Sequence, residues 1–244
     1  MTSGLHDFTG YQVLVVGGTR GDGHAIASSF ADAGASVTVT GTMMLRELYD
    51  SDLSRFDYEM VNLARQESMD HLVSVVGHLD VLVLAASCNL PYGLPETEQA
   101  FIAEAVRSGV LGPTFLTTRL RLKLSQSPAL GGGCVINTGA VRTWLELSSS
   151  PEAAQADLID STQRAGDNWG GLGIRVNCVM QSARGVLPRQ YLPSSSSTSY
   201  GSRVAGDTLV RSQQPPLRDA VSDAALFLAS SAASRITGQT LRLS

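Results

Sequence analysis

YQVLVVGGTRGDGHAIA, residues 11–27, decides the fold. Its first part, Tyr11–Gly17, is a near-continuous apolar run, the composition of a strand buried on both faces. The following stretch is helical: Ala25, Ile26, Phe30 and Ala33 share one face of a helix over Gly21–Gly34. Between the two stands Gly17-Gly18-Thr19-Arg20-Gly21-Asp22-Gly23. Glycines at a strand-to-helix turn let the backbone approach a pyrophosphate. The helix N-terminus adds N–H donors and the positive end of its dipole. The spacing, Gly17-x-x-x-Gly21-x-Gly23, differs from the G-x-G-x-x-G of ordinary dinucleotide folds.

Outward from this unit, strand-like and helix-like patterns alternate. Strands are expected at Ala35–Gly41, Asp57–Asn62, Leu79–Ala86, Gly133–Gly139, Gly173–Met180 and Gln239–Leu243. Helices are expected at Ser68–Val76, about Glu96–Leu124, Ser150–Trp169 and Asp219–Ala229. Alternation of this kind with apolar strands implies an α/β fold. The expected architecture is a doubly wound parallel sheet of about seven strands in three layers, helices covering both faces. Residues 1–244 form one domain, with no internal repeat. The segment 181–216 breaks the rhythm with Ser194–Ser197 and four prolines, and a loop of this length reads as a lid over a substrate or as a disordered segment.

Composition narrows the function classes. Of 244 residues, 43% are hydrophobic and 16% charged, enough apolar material for a sizeable core. The net charge of −4 gives no electrostatic case for nucleic acid or an anionic membrane. No apolar run reaches the length of a membrane span. Met1–Gly10 carries no secretory pattern, so a reducing cytoplasm is expected. Cys88, Cys134 and Cys178 are far apart, and the four histidines are scattered, so no metal site is read. Cys134 and Cys178 sit in strand-like runs as small buried hydrophobes. The chain has 17 arginines and a single lysine, Lys123, a bias that suggests a GC-rich, bacterial coding sequence.

VVGGTRGDGHAIA resembles the "TGxxxGxG" fingerprint of short-chain dehydrogenases/reductases. LDVLV at Leu79–Val83, LGPTFLTTRL at Leu111–Leu120, GCVINTGAV at Gly133–Val141, GIRVNCV at Gly173–Val179 and the run Ala225–Leu243 are similar to other segments of that family, in the same order. The resemblance implies a Rossmann-type domain with cofactor-binding residues Gly17, Thr19, Arg20, Gly21, Gly23, Thr42 and Asn62. An acidic residue at the end of the second strand marks NAD preference. Thr40, Gly41 and Thr42 stand there instead, and Arg20 could meet a 2′-phosphate, so NADP(H) is the expected dinucleotide if one binds at all. Val16, Asp22, Leu84–Ser87 and Gln181-Ser182 depart from the family's cofactor motifs, which leaves open that no cofactor binds.

The resemblance also implies a Ser, Tyr, Lys and Asn that together manage a proton beside the nicotinamide. Ala140 takes the serine's place and Gly109 the asparagine's. Counting from either flank puts Pro151 and Gln155, or Ala153 and Asp157, at the Tyr and Lys. No tyrosine occurs between Tyr92 and Tyr191, and Lys123 precedes the fifth strand. A Tyr-x-x-x-Lys helix is therefore absent.

Three functions follow as expectations. The first is a biosynthetic enzyme on a small organic substrate, working by cyclisation, isomerisation or dehydration in the former reductase cleft. Its candidate catalytic residues are Asp22, Asn137, Arg142, Trp144 and Tyr191, with Glu152, Gln155, Asp157 and Tyr92 nearby. Asp22 and Glu152 also serve as ordinary helix N-terminal carboxylates. The second is an NADP(H)-dependent oxidoreductase with an unconventional proton donor. The third is a non-catalytic partner of an active paralogue. The family resemblance implies a homodimer or homotetramer.

Overall fold

The computed structural model describes residues 7–86, 107–138, 151–181 and 217–243. Seven strands form one sheet: β1 (Gln12–Val16), β2 (Ser36–Gly41), β3 (Asp57–Met60), β4 (Val81–Leu84), β5 (Gly133–Asn137), β6 (Ile174–Gln181) and β7 (Thr240–Leu243). Their order is β3-β2-β1-β4-β5-β6-β7, with every neighbouring pair parallel. The α-helices are α1 (Gly21–Asp32), α2 (Gln66–Val75), α3 (Gly112–Ser125), α4 (Pro151–Gly170) and α5 (Leu217–Ala229). The expected doubly wound α/β sheet is thus the observed one.

Side-chain alternation along the strands divides the core in two. Val13 and Val15 of β1 face one layer, where Ile26, Ala27 and Phe30 of α1 meet Val221, Ala225 and Leu228 of α5. Leu14 and Val16 face the other, with Leu72 of α2 and Leu116, Leu120 and Leu124 of α3. Each of these side chains is almost fully buried, and a large apolar side chain so placed contributes about 1.5–3 kcal/mol. Cys134 and Cys178 are 1% and 0% exposed and pack as core residues.

Polar groups pin the layers. Arg175 of β6 is buried, and its guanidinium donates to the carbonyl oxygens of Gly131, Leu228, Ala229 and Ala233. Two of those acceptors lie in the last turn of α5, where a cation also meets the negative end of the helix dipole. At the sheet edge where the strands begin, Asp80 is buried. It accepts the Gln12 N–H at 2.8 Å and the Ser127 hydroxyl, and lies 2.8 Å from His78 Nε2.

Several boundaries differ from expectation. β1 stops at Val16, because Gly17 turns to φ +83°. β4 stops at Leu84 and β5 at Asn137, two residues short at each C-terminal end. The long helix expected at Glu96–Leu124 is not continuous where it is described. A π-turn at Arg107–Leu111 precedes α3, which opens on Gly112-Pro113. Pro113 has no N–H to give an upstream carbonyl, and it suits a first helical turn. A Cβ on Gly112 would lie 2.2 Å from the Leu63 carbonyl oxygen, so that close crossing requires glycine. The expected lid at 181–216 lies outside the described residues except for Gln181. Among the described residues, no helix is long and apolar enough to cross a membrane.

Candidate active site and dinucleotide cleft

One row of residues crosses the sheet: Glu59, Thr40, Val16, Leu84 and Asn137, at or next to the C-terminal ends of β3, β2, β1, β4 and β5, then Cys178 within β6 and Thr240 at the start of β7. Chain direction around the sheet reverses between β1 and β4, and ligands of such folds bind in the crevice at that switch point. The glycine-rich turn follows β1 into this crevice.

The turn is built by close backbone packing. Gly17 lies against the segment after β4: a Cβ there would approach Ala86 Cα to 2.6 Å. A Cβ on Gly18 would strike Val39, and one on Gly23 would lie 2.3 Å from the Gly17 carbonyl oxygen. The Gly17 N–H donates to Thr40 Oγ1 at 3.3 Å, which ties the turn to β2. Gly21, at φ +60°, faces open space at the first residue of α1. Bare backbone, open space and a helix N-terminus together suit a pyrophosphate, so the residues present fit a dinucleotide here.

Other predicted cofactor residues surround this turn. Thr19 is buried, its methyl group 2.8 Å from where a Gly41 Cβ would stand. Arg20 is the exposed N-cap residue of α1. Thr42 is exposed just beyond β2. Asn62 is exposed after β3. Its Oδ1 accepts the Ala64 N–H at 2.9 Å and its own N–H donates to Ser68 Oγ, so it shapes the turn into α2.

The structure brings Gly17, Thr19, Gly23 and Thr42 to the β1–β2 side of the edge. Asn137 ends β5, two strands away from β1 on the same row. Asp22 lies in the first turn of α1, where its charge suits the helix dipole. Asp157 is exposed on α4, and Glu152 and Gln155 fall on the first turns of that helix. Arg142, Trp144, Tyr191, Tyr92, Ala140 and Cys88 lie outside the described residues. Lys123 is at the opposite edge of the sheet. It lies in the last turn of α3, and its Nζ donates to the carbonyl oxygen of Val76, ahead of the start of β4. Among the described residues, no three His, Cys, Asp or Glu side chains converge as metal ligands.

Sequence reasoning missed Tyr49. Its ring reaches back so that the phenol oxygen accepts the Thr42 N–H at 2.7 Å and the Met43 N–H at 2.9 Å. The same oxygen stands 2.2 Å from where a Gly41 Cβ would be, which is why β2 ends in glycine. Tyr58 packs beside Tyr49 at 6.0 Å between ring centres and donates to the Met43 carbonyl oxygen. Burial raises the Tyr49 phenol, but its polar contacts with Met43, Tyr58 and Thr42 outweigh that and hold its pKa below the ordinary 10. Burial and the hydrogen bond with Tyr49 push Tyr58 up. Only Gly41, an interruption at the end of a β-branched strand, marked this contact in the sequence.

A family model described as Enoyl-(Acyl carrier protein) reductase matches residues 17–243. The 3-oxoacyl-(acyl-carrier-protein) reductase FabG of Chlamydia muridarum is 26% identical, over 93% of this chain and 93% of its own. That of Rickettsia typhi is 28% identical, over 97% and 96%. A crystal structure described as a betaketoacyl-ACP reductase superposes with a TM-score of 0.69 at 25% identity, covering 97% of each chain. The Pseudomonas aeruginosa RhlG/NADP active-site complex shares the fold at a TM-score of 0.69 and 19% identity, over 98% of this chain and 97% of that one. The seven-stranded parallel sheet, the glycine turn at its switch point and a family match over nearly the whole length agree: this chain belongs to the short-chain dehydrogenase/reductase family.

Proposed function

We propose that this chain is a nicotinamide-dinucleotide-dependent oxidoreductase of a small organic substrate that moves its proton without a Tyr–Lys pair. The observation that carries this reading is the intact turn: Gly17, Gly18 and Gly23 hold a conformation no side chain fits, and Gly21 leaves the α1 N-terminus open. When bound, the dinucleotide supplies or accepts a hydride. This chain's own residues bind and orient: the turn and the α1 dipole hold the pyrophosphate, and Asn137 offers a polar group at the β5 end. No tyrosine occurs between Tyr92 and Tyr191, and Lys123 is engaged at the far edge of the sheet. The proton therefore comes from water, the substrate or a carboxylate. Arg20, exposed at the α1 N-cap, favours a 2′-phosphate, whereas the contacts of Tyr49 favour the other dinucleotide.

A second reading, favoured by the position of Lys123, is an enzyme that cyclises, isomerises or dehydrates its substrate in the same crevice with no hydride step. Calorimetric titration separates the two. Binding of NADH or NADPH supports the oxidoreductase. Binding of neither contradicts it and leaves the second.

The exposed residues Leu111, Phe115 and Leu122 recur at helical spacing along α3 and the turn before it. This apolar stripe supports association as a homodimer or homotetramer.

A further inference from the structure

In folds of this kind the ribose 2′ position is read near the end of the second strand, and the Thr42 and Met43 N–H groups lie just beyond the end of β2 at Gly41. Here both are engaged within the chain. Thr42 and Met43 donate to the phenol oxygen of Tyr49, at 2.7 and 2.9 Å. That oxygen presses on Gly41, beside Thr19 of the glycine turn, so it stands between the end of β2 and the turn.

The segment bearing Tyr49 is anchored on both sides. His24 of α1 lies 3.2 Å, through Nε2, from the Asp52 carbonyl oxygen, and its ring meets Phe56 edge to face at 5.8 Å. Arg55 pairs with Asp32 of α1 at 2.7 Å. Tyr58 donates to the Met43 carbonyl oxygen. Displacing Tyr49 would break the two hydrogen bonds that it accepts from N–H groups and disturb this neighbourhood.

A 2′-phosphate brings close to two negative charges and three acceptor oxygens, and it needs donors. A ribose 2′-hydroxyl is neutral and can donate or accept. Resting on the dinucleotide reading above, we infer that Tyr49 biases the choice of dinucleotide: it takes the Thr42 and Met43 N–H groups, so that a 2′-phosphate would meet Arg20 but neither of these backbone donors, and shifts the balance toward NAD(H). In other NAD-binding folds an acidic residue at the end of β2 accepts from the 2′-hydroxyl; Tyr49 would act differently, by withholding backbone donors.

The experiment measures dissociation constants of NADH and NADPH for the full chain and for Y49F, which keeps the ring against Tyr58 and frees both N–H groups. The wild type is expected to bind NADH more tightly. Y49F is expected to shift the NADH-to-NADPH affinity ratio about tenfold toward NADPH, the worth of one recovered charge-assisted hydrogen bond. A wild type that prefers NADPH, or a ratio unchanged in Y49F, overturns the role of Tyr49 and leaves the dinucleotide reading standing. Binding of neither dinucleotide overturns both. The wild-type ratio needs no variant, so the test holds whatever the fate of Y49F.

Discussion

The carbonyl oxygen of Gly17 lies 2.3 Å from the point where a Cβ on Gly23 would stand. Two glycines six residues apart thus close the turn on each other. Gly23→Ala forces backbone to move, at a cost of about 1–3 kcal/mol. It shifts the N–H groups at the start of α1 as well. The variant is expected to lose dinucleotide affinity at least tenfold while still unfolding cooperatively, as calorimetry and thermal melting would read.

Arg175 gives a second prediction. Its buried guanidinium serves four carbonyl oxygens, from Gly131, Leu228, Ala229 and Ala233. Arg175→Met keeps most of the volume and strands those acceptors. The expected loss is about 3 kcal/mol, or roughly 6–12 °C in Tm for a domain of this size. A melting curve within 2 °C of wild type would contradict the assigned role.

A third concerns alkaline pH. Burial pushes the Cys178 thiol from the ordinary 9 up to about 12, and raises Cys134 as well. A pKa raised by folding means that the unfolded thiol loses its proton first. The stabilisation is complete below about pH 9 and is lost as pH climbs toward about 12. Cys178→Val, which fits the core at β6, is expected to soften the decline of stability between those limits. Urea melts at stepped pH would measure it.

The apolar stripe of α3 yields a fourth. Phe115 and Leu122 are 44% and 68% exposed. If a second copy covers them, the double substitution Phe115→Glu with Leu122→Glu yields a monomer with an almost unchanged Tm. Light scattering on the eluted protein reads the mass directly.

The sheet was legible because buried parallel strands are written as unbroken apolar runs, and VVG at Val15–Gly17 also announces its own end. Strand limits were overrun where apolar residues continue past the strand's end, as at Ala85, whose N–H still donates to the Val16 carbonyl oxygen at 2.9 Å, and at Ala86, which packs on Gly17. The break at Gly112-Pro113 was written in the sequence but lay within an apolar period that reads as one helix. Tyr49 was illegible for a different reason. It acts across a seven-residue loop, on backbone groups, and such a contact leaves no periodicity. The glycine turn was found because its chemistry and its spacing coincide. Arg142, Trp144 and Tyr191 rested on the family resemblance alone.

Reduction of a β-ketoacyl thioester or a simple ketone, with NADH and NADPH in parallel, bears most directly on the absence of a Tyr–Lys pair. A positioned general acid contributes about 10²–10⁴-fold. The predicted result is a chain that binds dinucleotide yet turns over such substrates slower than FabG-type relatives by that margin. Turnover at the rate of those relatives would contradict the account.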